Sequence, residues 1–240
     1  MSINQDSGVP VNRLLAALPT EVYQRLLPHL QQVSLVLEQV IYEIDEPAPH
    51  VYFPHHSVIS LIAPMLDGSV LEIGLVGQEG MAGIFSVLGN RTKAHRAIVQ
   101  VADSAMRMDA AVLRAEFDRG GPLQRLLLRY VQALFTQASQ CAACNRFHTT
   151  EERLARWLLL VRDSVQKNEF SLTQEFMGQM LGTRRSSVTV AAGNLSQAGL
   201  IRYTRGKITI LDQSGLEEFA CECYGVIQSE FAHLLGSETA

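Results

Sequence analysis

Ser171–Leu211, SLTQEFMGQMLGTRRSSVTVAAGNLSQAGLIRYTRGKITIL, is the stretch that decides how this chain of 240 residues is read. Ser171-Leu-Thr-Gln174 supplies the hydroxyls that cap a helix start, and Phe176, Met177, Met180 and Leu181 follow as its apolar side. Gly182 interrupts the run, and Thr183 offers a second N-cap. A second helix is predicted from about Arg184 to Gln197, with Val188, Ala191, Ala192 and Leu195 turned inward. Two short helices joined by a glycine-containing turn make a helix-turn-helix. Leu200–Thr204 and Ile208–Leu211 around Arg205-Gly206-Lys207 predict a hairpin, the wing of a winged helix.

The residue types suit duplex DNA. In this motif the second helix enters the major groove with its first residues toward base edges. Those residues are Arg184, Arg185, Ser186, Ser187 and Thr189. Arginine pairs bidentately with guanine, and Ser or Thr serves several bases. Thr173, Gln174, Arg205 and Lys207 are placed for phosphates, which fix register without carrying sequence information. The formal net charge is -4, but Phe176 to Leu211 holds five bases and no acid. A local basic patch in an acidic chain is the footprint of a phosphate-facing surface.

Outward from this segment, Thr149 and Glu152 fit a capping box that opens a helix with Leu154, Trp157, Leu158 and Val161 on one face. Before it, residues 121–146 form the longest helical stretch. Leu127, Tyr130, Leu134, Gln137, Cys141 and Cys144 are spaced as an a/d seam, so a homodimer through this helix is expected. Between Val33 and Met108 lie short β-rich segments separated by turn residues, with Asp67-Gly68 as a hairpin signal and Gly80 to Leu88 as one short helix. Such spacing points to an antiparallel barrel or jelly roll. Helical spacing returns over residues 12–30. The fold expected is α+β, in three parts: an N-terminal β-barrel with leading helices over 1–110, a dimerisation helix region over 111–147, and a winged helix-turn-helix with a C-terminal helix over 148–240.

At this point the chain resembles the Crp/Fnr family of transcription regulators, named for the cyclic AMP receptor protein and the fumarate–nitrate reductase regulator. The motifs are Arg153-Leu-Ala-Arg-Trp157-Leu-Leu, Leu172-Thr-Gln-Glu-Phe-Met-Gly-Gln-Met-Leu-Gly182, Arg184-Arg-Ser-Ser-Val-Thr189, and Ala198-Gly-Leu-Ile201 leading into Arg205-Gly206-Lys207-Ile-Thr-Ile210. The resemblance is specific over 149–212 and rests on element order over 20–145. It implies a cyclic-nucleotide-binding-like barrel, a near-palindromic operator and a contact with RNA polymerase. Nucleotide-binding members cradle phosphate with a Gly-Glu-small stretch followed by Arg-Ser/Thr-Ala. Here the corresponding stretches read Gly77-Gln-Glu-Gly-Met-Ala-Gly83 and Lys93-Ala-His-Arg-Ala97, so classical cyclic AMP binding is not expected. Glu79, Gly80, Arg91, His95 and Arg96 are the candidate contacts for another effector, whose cofactor chemistry is unknown. Oxygen-sensing members carry an N-terminal cysteine cluster; no cysteine precedes Cys141.

Cys141 and Cys144 read first as small apolar seam residues. The other reading is a redox or metal switch, to which Cys221, Cys223 and His148 would add ligands if the C-terminal helix folds back. No metal site is assigned on the sequence. No Walker loop, nucleophile elbow, zincin or dinucleotide fingerprint occurs, so no enzyme is expected. Met1–Pro10 is polar with no apolar core of a signal peptide, and no run is long enough to span a membrane, so a cytoplasmic protein is expected. The alternative function is a ligand-, redox- or metal-sensing module whose winged helix mainly contacts protein.

Overall fold

A computed structural model describes residues 10–89 and 95–236. Two short helices lead in: α1 (Arg13–Ala16) and α2 (Thr20–Leu26). The Asn12 side chain caps α1 by accepting from the Leu15 amide at 3.1 Å, and its Nδ2 donates to the carbonyls of Pro54 and Gly80 at 2.9 and 3.0 Å. The chain start is thereby fastened to the strands that follow.

Those strands are β1 (Gln31–Leu35), β2 (Val40–Tyr42), β3 (His50–Pro54), β4 (Val58–Pro64), β5 (Val70–Val76), β6 (Arg96–Val101) and β7 (Asp103–Asp109), with the short α3 (Ile84–Val87) between β5 and β6. They pair antiparallel in two sheets, of order β1-β7-β3 and β2-β6-β4-β5. The expected antiparallel barrel or jelly roll takes the form of two sheets, with no hydrogen-bonded ladder closing them among the described residues. The β4–β5 turn is the one expected at Asp67-Gly68. Gly68 takes φ +83°, where a side chain would be strained, and the Asp67 carboxylate accepts from the Ser69 amide at 3.0 Å.

Helices α4 (Ala110–Asp118) and α5 (Pro122–Phe147) follow, then α6 (Thr150–Val165). The Thr149–Glu152 capping box is present: the Thr149 amide donates to Glu152 Oε2 at 2.7 Å and the Glu152 amide to Thr149 Oγ1 at 3.3 Å. The last part comprises β8 (Glu169–Ser171), α7 (Gln174–Met180), α8 (Arg185–Gln197), β9 (Ile201–Thr204), β10 (Lys207–Ile210), α9 (Gln213–Phe219) and α10 (Cys223–Leu235). Its sheet has three strands, β8-β10-β9, one more than the predicted hairpin.

Helix α10 folds back along α5. Tyr130 and Phe231 meet edge to face at 6.4 Å, and Arg129 Nη2 donates to the His233 carbonyl at 2.6 Å. This return, together with β5, explains where the predicted seam lies. Leu127, Tyr130, Gln137 and Cys141 are 1%, 0%, 3% and 7% exposed, and Leu134 is half-buried. Gln137 Oε1 accepts from the Leu75 amide at 2.8 Å. The buried members of this stripe hold the chain's own parts together, while Leu134 stays partly open. The open side of α5 carries Arg125, Leu128, Gln132, Phe135, Ser139 and Ala142, with Leu128 51% and Phe135 73% exposed. One continuous buried cluster runs from Leu14 through Leu75 and Leu158 to Phe231, so the sheets and the C-terminal helices share a core.

Candidate nucleic-acid interface

The reading head is built on α6. Leu154, Leu158 and Val161 bury against Phe176, Met177 and Met180 of α7 and against Val188, Ala191, Ala192 and Leu195 of α8. Burying that stripe leaves the opposite side of α8 in solvent, as an amphipathic helix requires. The cap of α7 is Thr173, whose Oγ1 accepts from the Phe176 amide at 3.1 Å. Ser171 is taken up as the last residue of β8, opposite Lys207. Thr183 is not the cap of α8. Its amide reaches back to the Gly178 carbonyl at 2.9 Å, and Arg184 holds the N-cap position. The turn is tight because Gly178 has no side chain: a Cβ there would lie 3.0 Å from the Thr183 carbonyl oxygen.

Arg184, Arg185, Ser186 and Thr189 are exposed and Ser187 is half-buried. Among the described residues, no carboxylate forms an ion pair with Arg184 or Arg185. Thr189 Oγ1 bonds Gln174 Oε1 at 2.9 Å and the Arg185 carbonyl at 3.0 Å, which ties the start of α7 to the exposed side of α8. Arg205 and Gly206 form the wing turn with φ of +50° and +80°, the positive pair that a two-residue hairpin turn needs. Arg205 is exposed at that tip. Lys207 is engaged with Glu169 across the wing sheet, Nζ to Oε1 2.5 Å. Of the predicted DNA contacts, Gln174 and Thr189 are thus bonded to each other, and Lys207 is partly neutralised by Glu169.

The head also rests on the N-terminal sheets. Trp157 Nε1 donates to Glu72 Oε1 on β5 at 2.8 Å. Burial pushes the Glu72 carboxyl up to about 7, against the pull of its hydrogen bonds and of Arg156. A Cβ at Gly182 would sit 2.6 Å from Leu71 Cδ1, so the turn of the head abuts β5 directly. Arg184, Arg185 and Ser187 border an open cleft whose far side is the β4–β5 turn at Met65, Gly68 and Ser69. Glu72 was not singled out in the sequence; the available signal was one acid inside the apolar strand Val70–Val76.

The effector candidates within the described residues each meet partners of the chain itself. Glu79 Oε1 accepts from the Gly77 amide at 2.9 Å, and burial raises its carboxyl. Gly80 is pressed on Tyr130, whose hydroxyl would lie 2.5 Å from a Cβ at that position. Tyr130 Oη also accepts from the Met81 amide at 3.0 Å and donates to the Met81 carbonyl at 2.9 Å. The backbone that would cradle a phosphate is therefore bonded within the chain. His95 is buried beside Tyr42 Oη, 2.9 Å from Nε2, and packs edge to face on Phe85. Arg96 pairs with Glu43 at 2.8 Å. Arg91 lies outside the described residues. Glu79 instead lines a cavity of about 210 Å³ with Arg13, Gln137, Asp163, Tyr224 and Gln228, below the roughly 300–1,000 Å³ of small-molecule sites.

Residues 152–219 match the Crp-like helix-turn-helix domain. The CRP-like cAMP-activated global transcriptional regulator of Mycobacterium tuberculosis is 24% identical over 200 residues, 80% of this chain and 88% of that one. Among solved structures, FixK2 from Bradyrhizobium japonicum superposes with a TM-score of 0.68 at 18% identity, over 80% of this chain and 98% of its own. A CRP/FNR-family transcriptional regulator from Thermus thermophilus gives 0.63 at 22% identity, over 79% and 98%. Residues 152–219 carry a Crp-like helix-turn-helix domain, and over about four fifths of its length the chain is similar to these proteins. No helix among the described residues is long and apolar enough to cross a membrane.

Proposed function

We propose that the protein is a homodimeric transcription regulator that binds near-palindromic duplex DNA through α8 and the wing. The observation that carries this reading is the pair Arg184 and Arg185, exposed at the start of α8 on a surface with no acid from Phe176 to Leu211. Arg184, Arg185, Ser186, Ser187 and Thr189 meet base edges; Thr173, Gln174, Arg205 and Lys207 meet phosphates. Residues 1–110 serve as sensor, 111–147 as dimerisation region and 148–240 as reading head. The second copy docks on the open stripe Leu128, Phe135, Ala142 of α5, because the Leu127–Cys141 stripe is occupied within the chain. RNA polymerase is the partner such a regulator would address, and no catalytic role is assigned.

Control follows from the joint. The start of α8 faces the β4–β5 turn across the cleft, so entry into a major groove calls for the head to move away. Such movement breaks the Glu72–Trp157 hydrogen bond and the Leu71–Gly182 contact. An effector acting on the sheets would bias that equilibrium by its differential affinity for the two arrangements. The bonded state of the Gly77–Gly83 loop argues against cyclic AMP as that effector. Selection of duplexes from a randomised pool tests the function. Enrichment of a two-fold symmetric site is expected, and a pool that stays random contradicts it.

A further inference from the structure

The end of α5 and the start of α10 bring four metal-binding side chains together. Cys144 and His148 stand one turn apart, in the last turn and at the C-cap of α5. Cys221 lies in the link between α9 and α10, and Cys223 opens α10. One ligand atom from each, three Sγ and one ring nitrogen, lie within 4.8 Å of one another. Cys144 Sγ is 3.4 Å from Cys221 Sγ, and Cys223 Sγ is 3.7 Å from His148 Nδ1. A tetrahedral zinc ion with bonds of about 2.3 Å to sulfur and about 2.0 Å to nitrogen has edges of roughly 3.5–3.8 Å. The spacing suits one ion. An iron–sulfur cluster distributes its cysteines over several irons and holds them farther apart than the 4.8 Å seen here.

Two independent observations point to a ligand. The first is the histidine's other nitrogen. His148 Nε2 lies 3.2 Å from Glu222 Oε2 while Nδ1 faces the sulfurs. A carboxylate that accepts a hydrogen bond from Nε2–H holds the proton on that nitrogen and leaves the Nδ1 lone pair free, which is how metal-bound histidines are oriented. The second is charge. Arg153 and Arg156 are both buried, their Nε atoms have no partner, and no described carboxylate forms an ion pair with either. Buried guanidiniums call for counter-charge. The field of Arg156 acts on Cys144, Cys221 and Cys223. Three thiolates around a divalent ion carry one net negative charge and would supply it.

We propose that Cys144, His148, Cys221 and Cys223 form a closed Cys₃His zinc site that clamps α10 to the hinge between α5 and α6. On binding, three thiol protons leave to solvent, each sulfur coordinates as thiolate, and His148 coordinates through Nδ1; nothing is oxidised or reduced. With four protein ligands the site has no open position, so its role is structural. Cys141 is outside it: its Sγ faces Arg156 Nη1 at 3.6 Å.

The test uses the reduced full-length chain titrated with zinc and, separately, with cobalt(II). Expected are one zinc per chain and a cobalt form with the intense visible bands and sulfur-to-metal charge transfer of a tetrahedral thiolate site. Cys223→Ser and His148→Ala should each lose or distort that spectrum, while Cys141→Ser keeps it. Octahedral cobalt only, no uptake of either metal, or a spectrum that depends on Cys141 as on Cys223 overturns the proposal. Should the ligand variants fail to fold, the wild-type and Cys141→Ser spectra still decide it.

Discussion

Glu72 is one carboxyl that meets both halves of the molecule. It sits on β5, accepts from Trp157 on α6, and is buried, which raises its pKa to about 7. Between the ordinary carboxylate range and about 7 the folded chain holds a proton that the unfolded chain has released. The stability that this group contributes is therefore greatest at low pH and falls as pH rises through that window, by on the order of 3 kcal/mol. Glu72→Gln keeps an acceptor for Trp157 without the charge. Denaturant melts should show the variant gaining on wild type from pH 5 to pH 8; a difference that stays constant across that range contradicts the assignment. Residues were unevenly legible in the sequence. Arg184, Arg185 and Arg205 could be placed because motif and exposure coincide there. The partners of Glu79, His95 and Arg96, which are the Gly77 amide, Tyr42 and Glu43, could not be read, since alternation along a strand says nothing about which loop folds over it.

Elements were read with an accuracy set by their length. The long α5 covers Pro122–Phe147 where residues 121–146 were expected, and α6 opens at the expected capping box, because each carries several periods of its pattern. Strands β2 and β8, three residues each, carry too little pattern to stand out. The start of α8 was misplaced because Thr183 has the chemistry of a cap, whereas the tight approach at Gly178 bonds its amide inside the turn. That approach gives a prediction at this scale. Gly178→Val forces α7 and α8 apart and should cost roughly 1–3 kcal/mol in thermal unfolding, with a larger loss of DNA affinity as α8 reorients. A variant with unchanged stability would show that the turn has room.

For the whole molecule, α5 has apolar residues on more than one side, so spacing alone could not say which side meets the chain's own sheets. The return of α10 settles that by covering Tyr130 and Ala133. Leu128 and Phe135 remain outside, and Phe135→Glu should yield a monomer in sedimentation while leaving the far-ultraviolet spectrum unchanged. A dimer that survives this change would place the interface elsewhere. Two basic heads held by such a dimer read two half-sites at once, and phosphate contacts make that binding release counterions. The most direct measurement is fluorescence anisotropy of the selected duplex across a salt series, for wild type and Arg185→Ala. Expected are steep weakening of wild type with salt and a loss of roughly 1–3 kcal/mol in the variant. Affinity that is insensitive to salt and equal in the two proteins would contradict this mode of binding.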